Sequence, residues 1–113
     1  MSRDYADYIA DIAESVRDII DFTKGMSFDD FLIDKKTQYA VIRSLEIIGE
    51  AAKKIPDSIR ENYPGVPWKQ MAGTRDKLIH EYHGVDLAII WAVVENELPK
   101  IKPEIDKLAA DFL

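Results

Sequence analysis

Residues 87–112 read LAIIWAVVENELPKIKPEIDKLAADF, and the apolar side chains Leu87, Trp91, Val94, Leu98, Ile101, Ile105, Leu108 and Phe112 recur at steps of 4, 3, 4, 3, 4, 3 and 4. At about 100° per residue this spacing keeps all of them on one helical face. The phase runs unbroken across Pro99 and Pro103, neither of which has the N–H that a helix interior needs. The stretch is therefore expected to be roughly collinear helical pieces with a kink or tight junction at the prolines. Its first eight residues, LAIIWAVV, are apolar on every side, which places them at the centre of a bundle or against a second subunit.

Working outward, the same rhythm recurs in Tyr5, Ile9, Ile12, Val16 and Ile19, a helix that should stop near Phe22, before Lys24 and Gly25. Ser27 opens S-F-D-D, a capping-box variant that can start a short helical turn through Ile33. From about Lys35 to Ile55 the positions Val41, Leu45, Ile48, Ala52 and Ile55 form a long amphipathic helix ended by Pro56, with Gly49 inside it as a candidate close helix crossing. Between Pro56 and Gly73 the prolines 56, 64 and 67 point to short turns anchored by Trp68. Thr74 is the expected cap of a helix of about ten residues, TRDKLIHEYH, leaving through His83 and Gly84, and Asp86 caps the next. No segment alternates with period two and no Asn-Gly or Asp-Gly hairpin occurs, so the expectation is an all-α up-and-down bundle.

The chain has 113 residues, 47% hydrophobic and 32% charged, and is expected to form a single domain over 1–113. It has no cysteine, which removes thiol catalysis, thiolate zinc sites and iron–sulfur clusters and fits a reducing compartment. A net charge of −6 gives the surface as a whole no attraction for nucleic acid or anionic membrane. The acid-studded N-terminus lacks a secretory h-region and no run approaches the roughly 18 apolar residues of a membrane span, so the expected location is the cytoplasm with no membrane partner.

Chemistry concentrates in residues 75–82, RDKLIHEY. On an ideal helix Arg75 and Tyr82 share a face, whereas His80 lies about 140° round from Arg75. Asp76 precedes His80 by four residues, so its carboxylate can hold the imidazole and favour its charged form. The plain alternative is a helix-surface ion pair with a half-buried tyrosine. The functional alternative is metal-free cleavage of RNA, whose own 2′-hydroxyl attacks the adjacent phosphorus. A histidine moves protons near neutral pH and an arginine holds the charge that develops on phosphorus. One chain offers a single well-placed His80 with Arg75, and a two-fold dimer that faces two such segments would supply the second set, with LAIIWAVV as a candidate interface.

R-x4-H-x-Y, standing here as Arg75, Asp76, His80 and Tyr82, resembles the signature of HEPN-domain proteins. More narrowly, RSLEIIGEAAKKIP (43–56), PWKQMAGTRDKLIHEYHGVD (67–86) and VVENELPKI (93–101) resemble HepT toxins of the MntA/HepT type over nearly the whole chain. The resemblance implies a HEPN bundle of four to five helices, a homodimer with the active groove across its interface, and metal-independent ribonuclease activity without a cofactor. It assigns Arg75 and His80 to the motif's arginine and histidine and Asp76 to its polar position. On that footing Arg75 neutralises phosphate, His80 is general acid or base, Asp76 orients His80, and Tyr82 positions substrate. Tyr82 also matches the tyrosine that a cognate nucleotidyltransferase antitoxin modifies with AMP, which would add charge and bulk two residues from His80.

Two other readings compete. His80 and His83, with Asp76, Glu81 and Asp86 near them in sequence, have the spacing of a metal site, although His83 also suits a helix C-terminus unaided. Glu46 and Glu50 resemble the carboxylates of di-metal bundles but lack the accompanying Glu-x-x-His, so they read as a solvated face beside Arg43, Lys53 and Lys54. The second alternative is a non-catalytic HEPN module partnering a nucleotidyltransferase, in which Arg75 and His80 would have no chemical task. Lys35, Lys36, Lys53 and Lys54 read as solvated, with any that borders the groove available to phosphates.

Overall fold

A computed structural model describes residues 4–80 and 86–113, the side chains of Arg75 and of residues 77–80 excepted. Its elements are α1 (Tyr5–Thr23), α2 (Phe28–Leu32), α3 (Lys35–Lys54), α4 (Asp57–Arg60), α5 (Trp68–His80), α6 (Leu87–Ala92), a π-helical stretch Val93–Glu97, and α7 (Leu98–Phe112). Among the described residues there is no strand, as expected for an all-α bundle of the HEPN type.

Side-chain caps set the starts of α1, α2, α3 and α6. Asp4 and Asp7 form a reciprocal capping box on α1, and Ser27 and Asp30 do the same on α2. Asp34 caps α3 through the Thr37 N–H at 3.0 Å and also accepts from the Thr37 hydroxyl at 2.7 Å. Those two donors, with Lys36 nearby, hold the Asp34 carboxyl below its ordinary value. Asp86 caps α6 through the Ala88 N–H at 2.9 Å, as its position in the sequence predicts. Gly25, at φ 76°, turns the chain out of α1 in a backbone region that other residues enter only at a cost.

The 4, 3 pattern of the sequence is the buried face of the bundle. Ile9, Ile12, Val16 and Ile19 of α1 meet Val41, Leu45 and Ile48 of α3 on one side and Leu98, Ile105 and Leu108 of α7 on the other. Phe31 of α2 is wholly buried and its ring lies 5.1 Å from that of Trp91, which fastens α2 to α6. The LAIIWAVV segment is buried at Ile90, Trp91 and Val94 and open to solvent at Ala88, Ile89 and Ala92, with Ile89 57% exposed.

Two sequence expectations change. The helix bearing RDKLIHEY begins at Trp68, not at Thr74, which sits in its interior with its hydroxyl donating to the Gln70 carbonyl at 2.8 Å. Pro67 explains the earlier start, because its carbonyl accepts the first helical bond from Met71 and its fixed φ suits a helix entry. The turn region is correspondingly shorter, and α4 lies within it. The second change is at the prolines, where the junction is a π stretch in which the Leu98 N–H reaches back five residues to the Val93 carbonyl. Pro99 then falls in the first turn of α7, where no N–H is wanted.

The connection between α4 and α5 is pinned as the sequence suggests. Trp68 is buried, its indole N–H donates to the Tyr63 carbonyl at 3.2 Å, and Arg60 lies over its ring. The Tyr63 hydroxyl donates to the Asp111 carboxylate at 2.6 Å, which ties the connection to the end of α7 and pushes the phenol pKa up. The start of α5 is thereby fixed against the C-terminal helix.

Candidate active site

The motif lies at the C-terminal end of α5, a helix whose principal packing partner is α3. Arg75, Asp76 and His80 therefore share one continuous helix, begun seven residues before Arg75 and anchored by the buried Trp68 and Met71. Whether Arg75 and His80 converge lies outside the described side chains. Tyr82, together with Glu81, His83 and the expected exit at Gly84, lies outside the described residues.

Asp76 is the motif residue whose side chain the structure describes, and its carboxylate forms an ion pair with the Lys53 ammonium of α3. The two side chains are 38% and 45% exposed, so the pair stands at the surface where α3 and α5 meet. Lys53 was legible in the sequence as one of several solvated lysines, and nothing there links it to Asp76, because the two lie 23 positions apart on different helices. The pairing becomes visible only when α5 is laid along α3.

Lys53 ends a charged strip on α3. Residues 43, 46, 50 and 53 follow one another at steps of 3, 4 and 3 and so share a face. Arg43 contacts Glu46 at 3.1 Å and Glu50 at 4.0 Å. This occupies the two glutamates in an ion-pair ladder, the bland alternative given above. Among the described residues no group of three or more His, Asp or Glu is arranged to hold a metal ion, and the imidazoles of His80 and His83 fall outside that set.

Beside the motif runs a groove of about 550 Å³. Its floor is Leu45 and Ile48 of α3, Met71 of α5 and Leu98 of α7, all buried members of the core, and its far wall includes Val93 and Ile101. Thr74, directly preceding Arg75, lines it, so the groove borders the chain segment that carries the motif. Gly73 lines it too, and a Cβ placed there would meet nothing within 4 Å. Its lining residues come from three separate stretches of sequence, 45–48, 67–74 and 93–101, and no one of them shows the groove by itself.

The profile of the HepT-like family, described as "Ribonuclease HepT-like", matches residues 12–108. A protein of Thermococcus cleftensis named "Probable ribonuclease HepT" is 51% identical over 108 residues, covering 96% of this chain and 98% of its own length. A Methanocaldococcus jannaschii protein that carries an RNase name is 53% identical over 110 residues, covering 97% of this chain and 91% of itself. Another with an RNase name, from Caldanaerobacter subterraneus subsp. tengcongensis, is 45% identical over 101 residues, covering 89% and 90%. No solved structure gives a significant match. With a family profile spanning most of the chain and near full-length relatives at this identity, the chain belongs to the HepT-like ribonuclease family, and its all-α fold is of the HEPN type.

Proposed function

We propose that this protein is a metal-independent endoribonuclease, the toxin of a toxin–antitoxin pair, acting on RNA in the cytoplasm. The observation that carries the reading is the placement of Arg75, Asp76 and His80 on one anchored helix, with Asp76 held by Lys53 at the surface, in a chain of the HepT-like family. RNA, tRNA among the candidates, brings its own nucleophile. A base removes the proton from a 2′-hydroxyl, the 2′-oxygen bonds to the adjacent phosphorus, and the bond from phosphorus to the 5′-oxygen breaks as an acid protonates the leaving oxygen. The products are a 2′,3′-cyclic phosphate and a free 5′-hydroxyl.

In this account Arg75 neutralises the pentacovalent phosphorane, and His80 serves as general acid or base. Asp76 orients His80 with one part of its carboxylate while Lys53 engages the other. Two motif helices, one from each protomer of a homodimer or higher even oligomer, supply the acid and base together. Tyr82 positions substrate, and its modification with AMP by a cognate nucleotidyltransferase antitoxin silences the site by adding negative charge where phosphate must bind.

The reading is tested by incubating purified protein with cellular RNA in EDTA and determining the product ends. Cyclic phosphate ends, and full resistance of an RNA bearing 2′-deoxy residues at the cut positions, are the expected results. Cleavage of the deoxy-substituted RNA, or cleavage restored only by added divalent metal, would contradict it. Co-expression with the nucleotidyltransferase should raise the intact mass by one or more AMP units, lost in Tyr82→Phe.

A further inference from the structure

We propose that the groove between α5 and the segment from Val93 to Ile101 is a nucleobase pocket, which receives an unstacked base next to the phosphate that is cut. This rests on the ribonuclease reading and names how that site would choose its substrate.

The chemistry of the reaction creates the need. Attack by the 2′-oxygen requires that oxygen, the phosphorus and the 5′-oxygen to approach a line, a geometry that stacked helical RNA does not offer. At least one base flanking the cut must leave the stack, and RNA recognition commonly houses such a base in a protein pocket. Thr74, one residue before the Arg75 that is proposed to bind phosphate, lines the groove, so the groove borders the chain segment at which that base would leave the stack.

The groove has the composition of such a pocket. About 550 Å³ falls in the range of small-molecule sites. Its floor of Leu45, Ile48, Met71 and Leu98 offers a flat ring apolar contact on its faces. Three polar side chains, Gln70, Thr74 and Glu97, line it as well and can fix a base by its edge. The Thr74 hydroxyl spends its proton on the Gln70 carbonyl and keeps lone pairs to accept. Glu97 is a carboxylate, which repels phosphate and accepts from amino and ring N–H groups. The groove therefore favours the base over the backbone, and guanine, whose adjacent ring N–H and amino group can both donate to one carboxylate, over the other bases.

The open space at Gly73 supplies the variant. Gly73→Leu adds a bulky side chain at a residue that lines the groove, from an exposed helical position whose Cβ meets nothing, so α5 keeps its packing. Glu97→Gln alters the hydrogen-bonding edge at an exposed position without changing size. In the first arm the full chain digests short unstructured RNAs randomised around the cut, in EDTA, and the products are sequenced. The expected result is a preference for guanine on one side of the cut. Glu97→Gln changes that preference, and Gly73→Leu flattens it while lowering kcat/KM on the order of tenfold or more. In the second arm an uncleavable 2′-O-methyl RNA 12-mer carrying 2-aminopurine is bound, and Gly73→Leu weakens that binding to a similar degree.

Unchanged cleavage preference and unchanged 12-mer binding in Gly73→Leu overturn the pocket. So does a parent oligomer that Gly73→Leu dissociates, by light scattering, since the occupant is then a second copy of the chain. Binding of the 12-mer that is sensitive to Gly73→Leu, in a parent that cleaves nothing, keeps the pocket and removes the ribonuclease. Base-indifferent cleavage that Gly73→Leu leaves intact does the reverse, and a parent that neither binds nor cleaves loses both.

Discussion

At the scale of single residues Lys53 stands out, its ammonium meeting the Asp76 carboxylate from a neighbouring helix. An ion pair as exposed as this one adds little to stability, about 1 kcal/mol or less. Its consequence lies in the charge it places beside the motif. Lys53→Gln should leave the thermal midpoint nearly unchanged, raise KM for RNA several-fold, and make KM less sensitive to salt, because one cation near phosphate has been removed. Equal loss of folding and activity would show the lysine to be structural only. Asp34 makes a separate, pH-dependent contribution. Its carboxyl is held low by the Thr37 N–H and hydroxyl, so its stabilisation is complete above the ordinary aspartate value of 3.8 and is lost as pH falls through the lower folded value. The Tm gap between parent and Asp34→Ala should therefore be constant near neutrality and close at acid pH, as thermal melts across that range would read. The motif itself was readable because Arg75, Asp76 and His80 are neighbours in sequence. Lys53 was not, since its partnership is made by helix packing.

At the scale of elements the long helices follow from the 4, 3 spacing, and α1, α3 and α7 bury the residues that spacing selects. The two departures arise where proline and glycine act by position and not by type. Pro67 starts α5 about two turns before the Thr74 cap that local pattern favoured, and Gly73, the far end of the expected turn region, sits inside the helix. An exposed helical glycine with open space at its Cβ weakens its helix, so Gly73→Ala should stabilise the protein by about 0.5–1 kcal/mol in denaturant unfolding. The π stretch at Val93–Glu97 is the answer to Pro99, and periodicity alone could indicate a junction there but not its kind. Phe31 joins α2 to α6 through Trp91, and Phe31→Ala should cost about 3–5 kcal/mol, read as a lowered urea midpoint at constant slope.

At the scale of the whole molecule a chain of net charge −6 has to act on a polyanion, and the two agree only if the positive charge is local. Lys53 stands at the junction of α3 and α5, paired with Asp76, and in the proposed reading Arg75 is the cation that phosphate meets. The proposed dimer doubles it, and the apolar groove supplies contact that does not depend on charge. Fold class was legible throughout the sequence, because one helical period runs through nearly every segment. The groove was not, because its walls come from α3, α5, the π stretch and α7 and exist only in the assembled bundle. In the proposed function Arg75 and His80 carry out metal-free RNA cleavage. Its most direct measurement is the single-turnover rate on RNA in EDTA for the parent, Arg75→Ala and His80→Ala, each shown to be folded and of equal oligomeric state. Cleavage by the parent and a loss of at least about a hundredfold in each variant are expected. A His80→Ala protein that cleaves at the parental rate would contradict that function.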